Sequence, residues 1–177
     1  MILFSLLAIS CSSSSSTTVS PGGQGGASVL YTFDGNANDY FGNYNAVPHN
    51  NPQYISPGYN GRGYAIQLLS TSSQYLTIAN IMNFYRRSVT VEAWLYPLAI
   101  YSSNPYTDMI IFQQVYSNTQ YQYMQVMLRN GYVYGSFFYD DISGVTVLRT
   151  NQWQHIAFTY DYAAQTQYVY LNGVLGR

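Results

Sequence analysis

The 177-residue sequence predicts an all-β fold, antiparallel strands packed as a sandwich or barrel. Three observations predict it. Apolar and polar residues alternate with period two through one short segment after another, separated by Gly, Pro, Asn and Asp clusters, which places one face of each segment inward. Asn-Gly pairs at 130–131 and 172–173 each lie between two such segments, and a tight hairpin turn needs φ > 0 at both central residues. Only Ala79 to Arg87 has the pattern for even a turn or two of helix.

In chain order, the first 26 residues differ from the rest. Ile2 to Ile9 is an apolar run, too short for the roughly 20 residues a bilayer-spanning helix needs but of the length of a signal-peptide core. Ser12 to Ser20 and Pro21 to Gly26 form a Ser/Thr- and Gly-rich tether without core-building residues. Residues 1–26 are therefore expected to be a signal peptide or membrane-anchor remnant plus linker, and 27–177 a single domain, although no basic region precedes the apolar run. "LAISC" also resembles a bacterial lipoprotein cleavage box ending on Cys11, the single cysteine, so no intrachain disulfide is expected. Ser88 to Tyr96 alternates Val89, Val91, Ala93 and Leu95 against Thr90, Glu92, Trp94 and Tyr96; Val91 and Trp94 are expected to belong to or border the interior. Tyr123 to Arg129 and Tyr132 to Phe138 flank Asn130-Gly131 as a hairpin. Gln154, Ile156, Phe158 and Tyr160 alternate with His155, Ala157 and Thr159, and Tyr168 to Leu171 returns through Asn172-Gly173 to Val174.

Composition narrows the functions. A chain of this length buries roughly 70% of its unfolded surface as one domain. Charged residues are 7% of it and the net charge is −1, against about 25% charged in an average domain. It has no lysine, and its six basic residues are Arg62, Arg86, Arg87, Arg129, Arg149 and Arg177. With no basic run, phosphate neutralisation has almost nothing to work with, so no nucleic-acid partner is expected. A surface wetted by Tyr, Ser, Asn and Gln suits an extracellular protein, with contact to a membrane only through the N-terminal segment if that is retained.

Four motifs occur in a recognisable order. They are "LYTFDGNANDYFGN" (30–43), "GYNGRGYAIQLLSTSSQYLTI" (58–78), "SVTVEAWLYP" (88–97) and "NQWQHIAFTYD" followed by "QYVYLNGVL" (151–175). Together they resemble the laminin G-like and pentraxin-like, concanavalin A-like jelly-roll domains. The resemblance implies two antiparallel sheets packed about 10 Å apart. It also implies a further C-terminal strand lying beside the first strand of the domain, so the chain is expected to be C-terminally truncated and Val29 to Phe33 to be an edge.

Catalysis finds few candidates. Sugar hydrolysis needs two carboxylates flanking the scissile bond, and the relatives that perform it present them as E-x-D-x-x-E. Glu92 is the single glutamate, positions 90, 94 and 95 carry no carboxylate, and Asp140 and Asp141 read as a turn. His49 lies in a Pro/Asn loop, His155 reads as a packed strand residue beside Trp153, and no G-x-S-x-G nucleophile turn exists. Two histidines and one cysteine do not make a structural zinc site. Calcium is the cofactor the resemblance raises; Asn118 matches one family ligand, but the neighbouring carboxylate is missing. Asp34 and Asp39 could coordinate an ion, yet Asp-Gly and Asn-Asp are also ordinary turn chemistry. No catalytic or metal residue and no cofactor are therefore expected. Tyr132 with Tyr134, and Tyr168 with Tyr170, each share a strand face and could stack on sugar rings; with Asn118 they are the ligand-binding candidates. The expected function is non-enzymatic recognition or adhesion outside the cell, with a glycan or an extracellular protein as partner. Alternatives are a degenerate carbohydrate-active enzyme domain and a structural surface-coat domain.

Overall fold

The structure, a computed structural model, describes residues 2–12, 28–100, 108–117, 122–137 and 139–177. Among these lie fourteen strands and a single 3-10 turn at Ser70–Ser72. The strands are β1 (Ile2–Ser12), β2 (Ser28–Tyr31), β3 (Ala46–His49), β4 (Gln53–Ile55), β5 (Ala65–Leu68), β6 (Tyr75–Ile78) and β7 (Ser88–Pro97). They continue as β8 (Met109–Val115), β9 (Tyr123–Arg129), β10 (Tyr132–Ser136), β11 (Asp141–Val147), β12 (Gln154–Asp161), β13 (Thr166–Leu171) and β14 (Val174–Leu175). A large antiparallel sheet runs β14-β13-β12-β7-β1-β5-β4, with β2 paired to β1; a second runs β11-β10-β9-β8, and β3 pairs with β6. The expected all-β jelly-roll sandwich is what the chain forms.

Alternation decides what each strand buries. In β7 the odd residues Val89, Val91, Ala93 and Leu95 are buried and the even ones half-exposed. Opposite them Ile156 and Phe158 of β12 and Val169 of β13 enter the same core as Met124, Val126 and Leu128 of β9. Trp94 thus lies on the outer face, three residues from Val91 and of opposite parity, rather than in the interior. Both Asn-Gly turns form as expected, with φ of 52° and 83° at Asn130 and Gly131 and 51° and 76° at Asn172 and Gly173. Phe138, the expected end of the 132–138 strand, lies outside the described residues.

Two segments depart from expectation, and an edge strand that was expected is found with its open side capped. Residues 2–12, read as part of a leader, form the strand β1 inside the large sheet, paired with β7 along its whole length. On its other side β1 meets β5 through Ile2 to Phe4 and β2 through Leu7 to Ser10. A register shift between Phe4 and Leu6 exchanges the faces, which is why Ile2 and then Leu7, Ile9 and Cys11 are buried. The edge strand is β2, which pairs with β1 alone, but its free side is not open. Leu30 N–H donates to Asp39 Oδ1 at 3.0 Å, and Tyr40 N–H donates to the Leu30 carbonyl at 2.8 Å. The other departure is at residues 79–87, which form a loop rather than a helical turn. Asn83 Oδ1 accepts the Tyr85 N–H at 3.0 Å, and Arg86 adopts φ 54°; both break a helix.

Candidate functional site

That loop forms one wall of a cavity of about 870 Å³. Val89 pairs with Tyr160 across β7 and β12, and Gln114 with Met124 across β8 and β9. All four line the cavity, which therefore lies between the two sheets at the end where these pairs sit. Its volume is within the roughly 300–1,000 Å³ typical of small-ligand sites.

The wall is held from two sides. The Gln114 side-chain amide donates to the Met82 carbonyl at 2.8 Å and accepts the Met82 N–H at 2.9 Å, completing both backbone groups of that residue. Cys11 Sγ of β1 reaches the Asn83 carbonyl at 3.5 Å. Met82, Val89 and Met124 are buried and make an apolar floor. Phe137 packs edge-on to Tyr160 with ring centres 5.1 Å apart and 5.8 Å from Phe158, closing the cavity towards the core. At the rim Tyr85 and Tyr116 are 72% and 78% exposed.

Two of the six arginines line this cavity with one carboxylate, Asp140. The Arg86 guanidinium lies 5.2 Å from the centre of the Tyr85 ring. Arg87 Nη1 is buried and has no hydrogen-bond partner among the described residues. Neither arginine was among the residues singled out from the sequence. The available signal was the stretch "NFYRR" (83–87), two adjacent cations beside two aromatics in a chain poor in charge.

The sequence-derived tyrosines fall on two different sheets. Tyr168 and Tyr170 pair with Thr159 and Ala157, which in turn pair with Thr90 and Glu92. They share the outer face of the large sheet with Trp94, His155 and Glu92. There Trp94 stacks on Tyr59 with ring centres 4.6 Å apart and lies 5.3 Å from His155. His155 Nε2 is 3.5 Å from Glu92 Oε2, and this hydrogen bond, opposed by partial burial, holds the Glu92 carboxyl below its ordinary value. His155 thus packs beside Trp94, while Trp153 meets Tyr96. Asp161, at the end of β12, shares the Glu92 face but is four residues beyond Ala157, about 13 Å along the strand. It accepts the Ala163 and Ala164 N–H groups of its own turn.

Tyr132 and Tyr134 lie on the other sheet, on the face opposite buried Val133. Tyr134 donates to Asp141 Oδ2 at 2.7 Å beneath the Arg129 guanidinium, 4.2 Å from its ring centre, and Arg129 forms a two-pronged pair with Asp108. Burial and the Asp141 carboxylate push the Tyr134 hydroxyl up to about 12. Asn118 lies outside the described residues. Asp39 accepts from Leu30 and Phe41 through Oδ1 and from Asn43 and Tyr44 through Oδ2, while Asp34 Oδ1 accepts the Tyr64 N–H. The Asp39 carboxylate thus organises its own loop against β2, and the Asp34 carboxylate ties its turn to the loop before β5. No helix among the described residues is long and apolar enough to cross a membrane.

A family model described as the concanavalin A-like lectin/glucanases superfamily matches residues 69–176, a span that contains the whole lining of the cavity. No curated protein and no solved structure gives a significant match.

Proposed function

The chain belongs to the concanavalin A-like lectin/glucanase superfamily, and from that premise we propose that it is a non-enzymatic, extracellular saccharide-recognition module whose site is the cavity between the sheet ends. The observation that carries this reading is an 870 Å³ cavity inside the matched span, with an apolar floor and exposed Tyr85 and Tyr116 at its mouth. Aromatic faces take the C–H faces of sugar rings, and the polar groups between them take the hydroxyls. The outer-face strip serves less well, because Trp94 is already covered by Tyr59.

A glycosidase reading finds little support. Hydrolysis needs carboxylates about 5–9.5 Å apart. Glu92 is engaged with His155, and Asp161, which shares its face, is too distant and holds its own turn. The cavity is lined by side chains that need no metal to bind a sugar, so binding is expected to persist in chelator.

A glycan array followed by calorimetry on the 177-residue chain tests the proposal. We expect at least one oligosaccharide to bind in EDTA, and Tyr116→Ala to weaken it by about 1 kcal/mol without lowering Tm. Failure of every saccharide to bind, or release of reducing sugar abolished by Glu92→Gln, overturns the reading.

A further inference from the structure

The geometry points to an acidic saccharide: we propose that the ligand carries a carboxylate that accepts hydrogen bonds from Arg87 inside the cavity, without a bridging metal ion. This rests on the cavity being the saccharide site.

The argument begins with the guanidinium. Arg87 Nη1 is shut off from solvent and has no partner among the described residues. A buried N–H on a charged group left unpaired is costly, more so than on a neutral one. Arg87 lines the cavity, and a turn of its long side chain would bring this closed-off N–H to an acceptor there. Arginine is also the side chain whose planar fork matches a carboxylate through two parallel bonds. Neither Arg86 nor Arg87 is engaged in an ion pair among the described residues, whereas Arg129 is paired with Asp108. The cationic character of the site is therefore not cancelled internally.

One of the chain's left-handed non-glycine residues lies at the same place. Arg86 is held at φ 54°, a left-handed conformation that a long side chain rarely adopts. It follows a segment whose register is fixed by the Gln114 clasp on Met82. The strained turn carries two successive arginines at the cavity wall, with the Arg86 guanidinium over the Tyr85 ring.

Asp140 sets the limit on ligand charge. Its main-chain carbonyl accepts from Phe137 N–H and Gln167 Nε2, and its carboxylate remains to accept hydroxyl protons. A carboxylate beside it would be repelled. The cavity therefore suits a sugar with an acid group towards Arg87 and hydroxyls towards Asp140, rather than a densely charged polyanion.

Calorimetry on the full chain in EDTA distinguishes the outcomes. The probes are galacturonate and glucuronate trisaccharides, their neutral counterparts, their methyl esters and their 6-O-sulfated counterparts. We expect a uronate of at least one series to bind roughly tenfold or more tighter than its neutral counterpart, the gain of one charge-assisted bond. The methyl ester should fall to the neutral level, which needs no protein variant. Arg87→Gln should erase the preference for the uronate over its neutral counterpart, and Arg87→Lys should retain part of it. Equal affinity for acid, ester and neutral sugar overturns the acidic assignment and leaves the saccharide site standing. A preference that survives Arg87→Gln, or tighter binding of the sulfated sugar, also overturns it. If no saccharide binds at all, both readings fall.

Discussion

Gly135 shows how one residue sets the spacing of the two sheets. A Cβ placed there would lie 2.2 Å from the Phe158 ring, so the bare backbone is what lets Phe158 of the facing sheet seat against β10. Gly135→Ala is expected to lose about 1–3 kcal/mol by forcing that ring aside, read as a lower urea midpoint at unchanged slope. A midpoint equal to the parent's would show that the ring moves freely. The Glu92–His155 pair makes a prediction in pH. Glu92 titrates below its ordinary value of 4.5 in the folded state, so its stabilisation is present above that value and is lost as pH falls through the lowered one. Its side chain is 42% exposed, so the effect is no more than about 1 kcal/mol. Glu92→Gln should therefore be slightly less stable than the parent at pH 6, with the difference narrowing as pH falls below 4.5, measured by thermal melts. Inward Val91 was legible from alternation alone; Trp94, expected at the interior from its place in the same alternating strand, is an odd number of residues away and could not share that face. The orphan nitrogen of Arg87 was not legible, because its burial depends on how the 79–87 loop folds against β8.

At the scale of elements, β1 is the clearest case of an ambiguous signal. An eight-residue apolar run suits a signal core and an inner strand equally, since a strand covered on both sides need not alternate. Ile9 is 1% exposed and Ser10 is exposed, though they are adjacent. If the segment is part of the sheet, Ile9→Asp should cost more than about 3 kcal/mol and Ser10→Asp less than about 0.5 kcal/mol. A segment outside the fold would tolerate both equally, and paired chemical denaturation curves separate the two cases. The hairpins at Asn130-Gly131 and Asn172-Gly173 were legible because Asn and Gly answer a local steric demand. Strands β3, β4 and β11 were not, because Ala46–His49 contains Pro48, Gln53–Ile55 is only three residues long and Asp141–Val147 is interrupted by Gly144.

Across the whole molecule, the four motifs that suggested the family fall on structural joints. The first holds β2 and the Asp39 loop that caps its edge, and the second holds Gly63, where a Cβ would lie 2.4 Å from Asp34 Oδ1. The third is β7, the strand that joins β1 to β12, and the fourth holds the β12–β14 hairpins. Motif order thus encoded topology, while most of the cavity lining, from Ile81 to Arg87 and from Gln114 to Asp140, comes from segments that no motif covers. The pairing of β1 also has a consequence in time. Ile2 meets Pro97 and Ser12 meets Ser88, so β1 leaves the ribosome well before its long partner exists. At roughly 5–20 residues per second, the apolar strand must wait several seconds for β7. Such distant pairing places the closure of the large sheet among the slow steps of folding. During that wait an eight-residue apolar segment is open to any other hydrophobic surface, so the nascent chain depends on what shelters its beginning until its middle has been made.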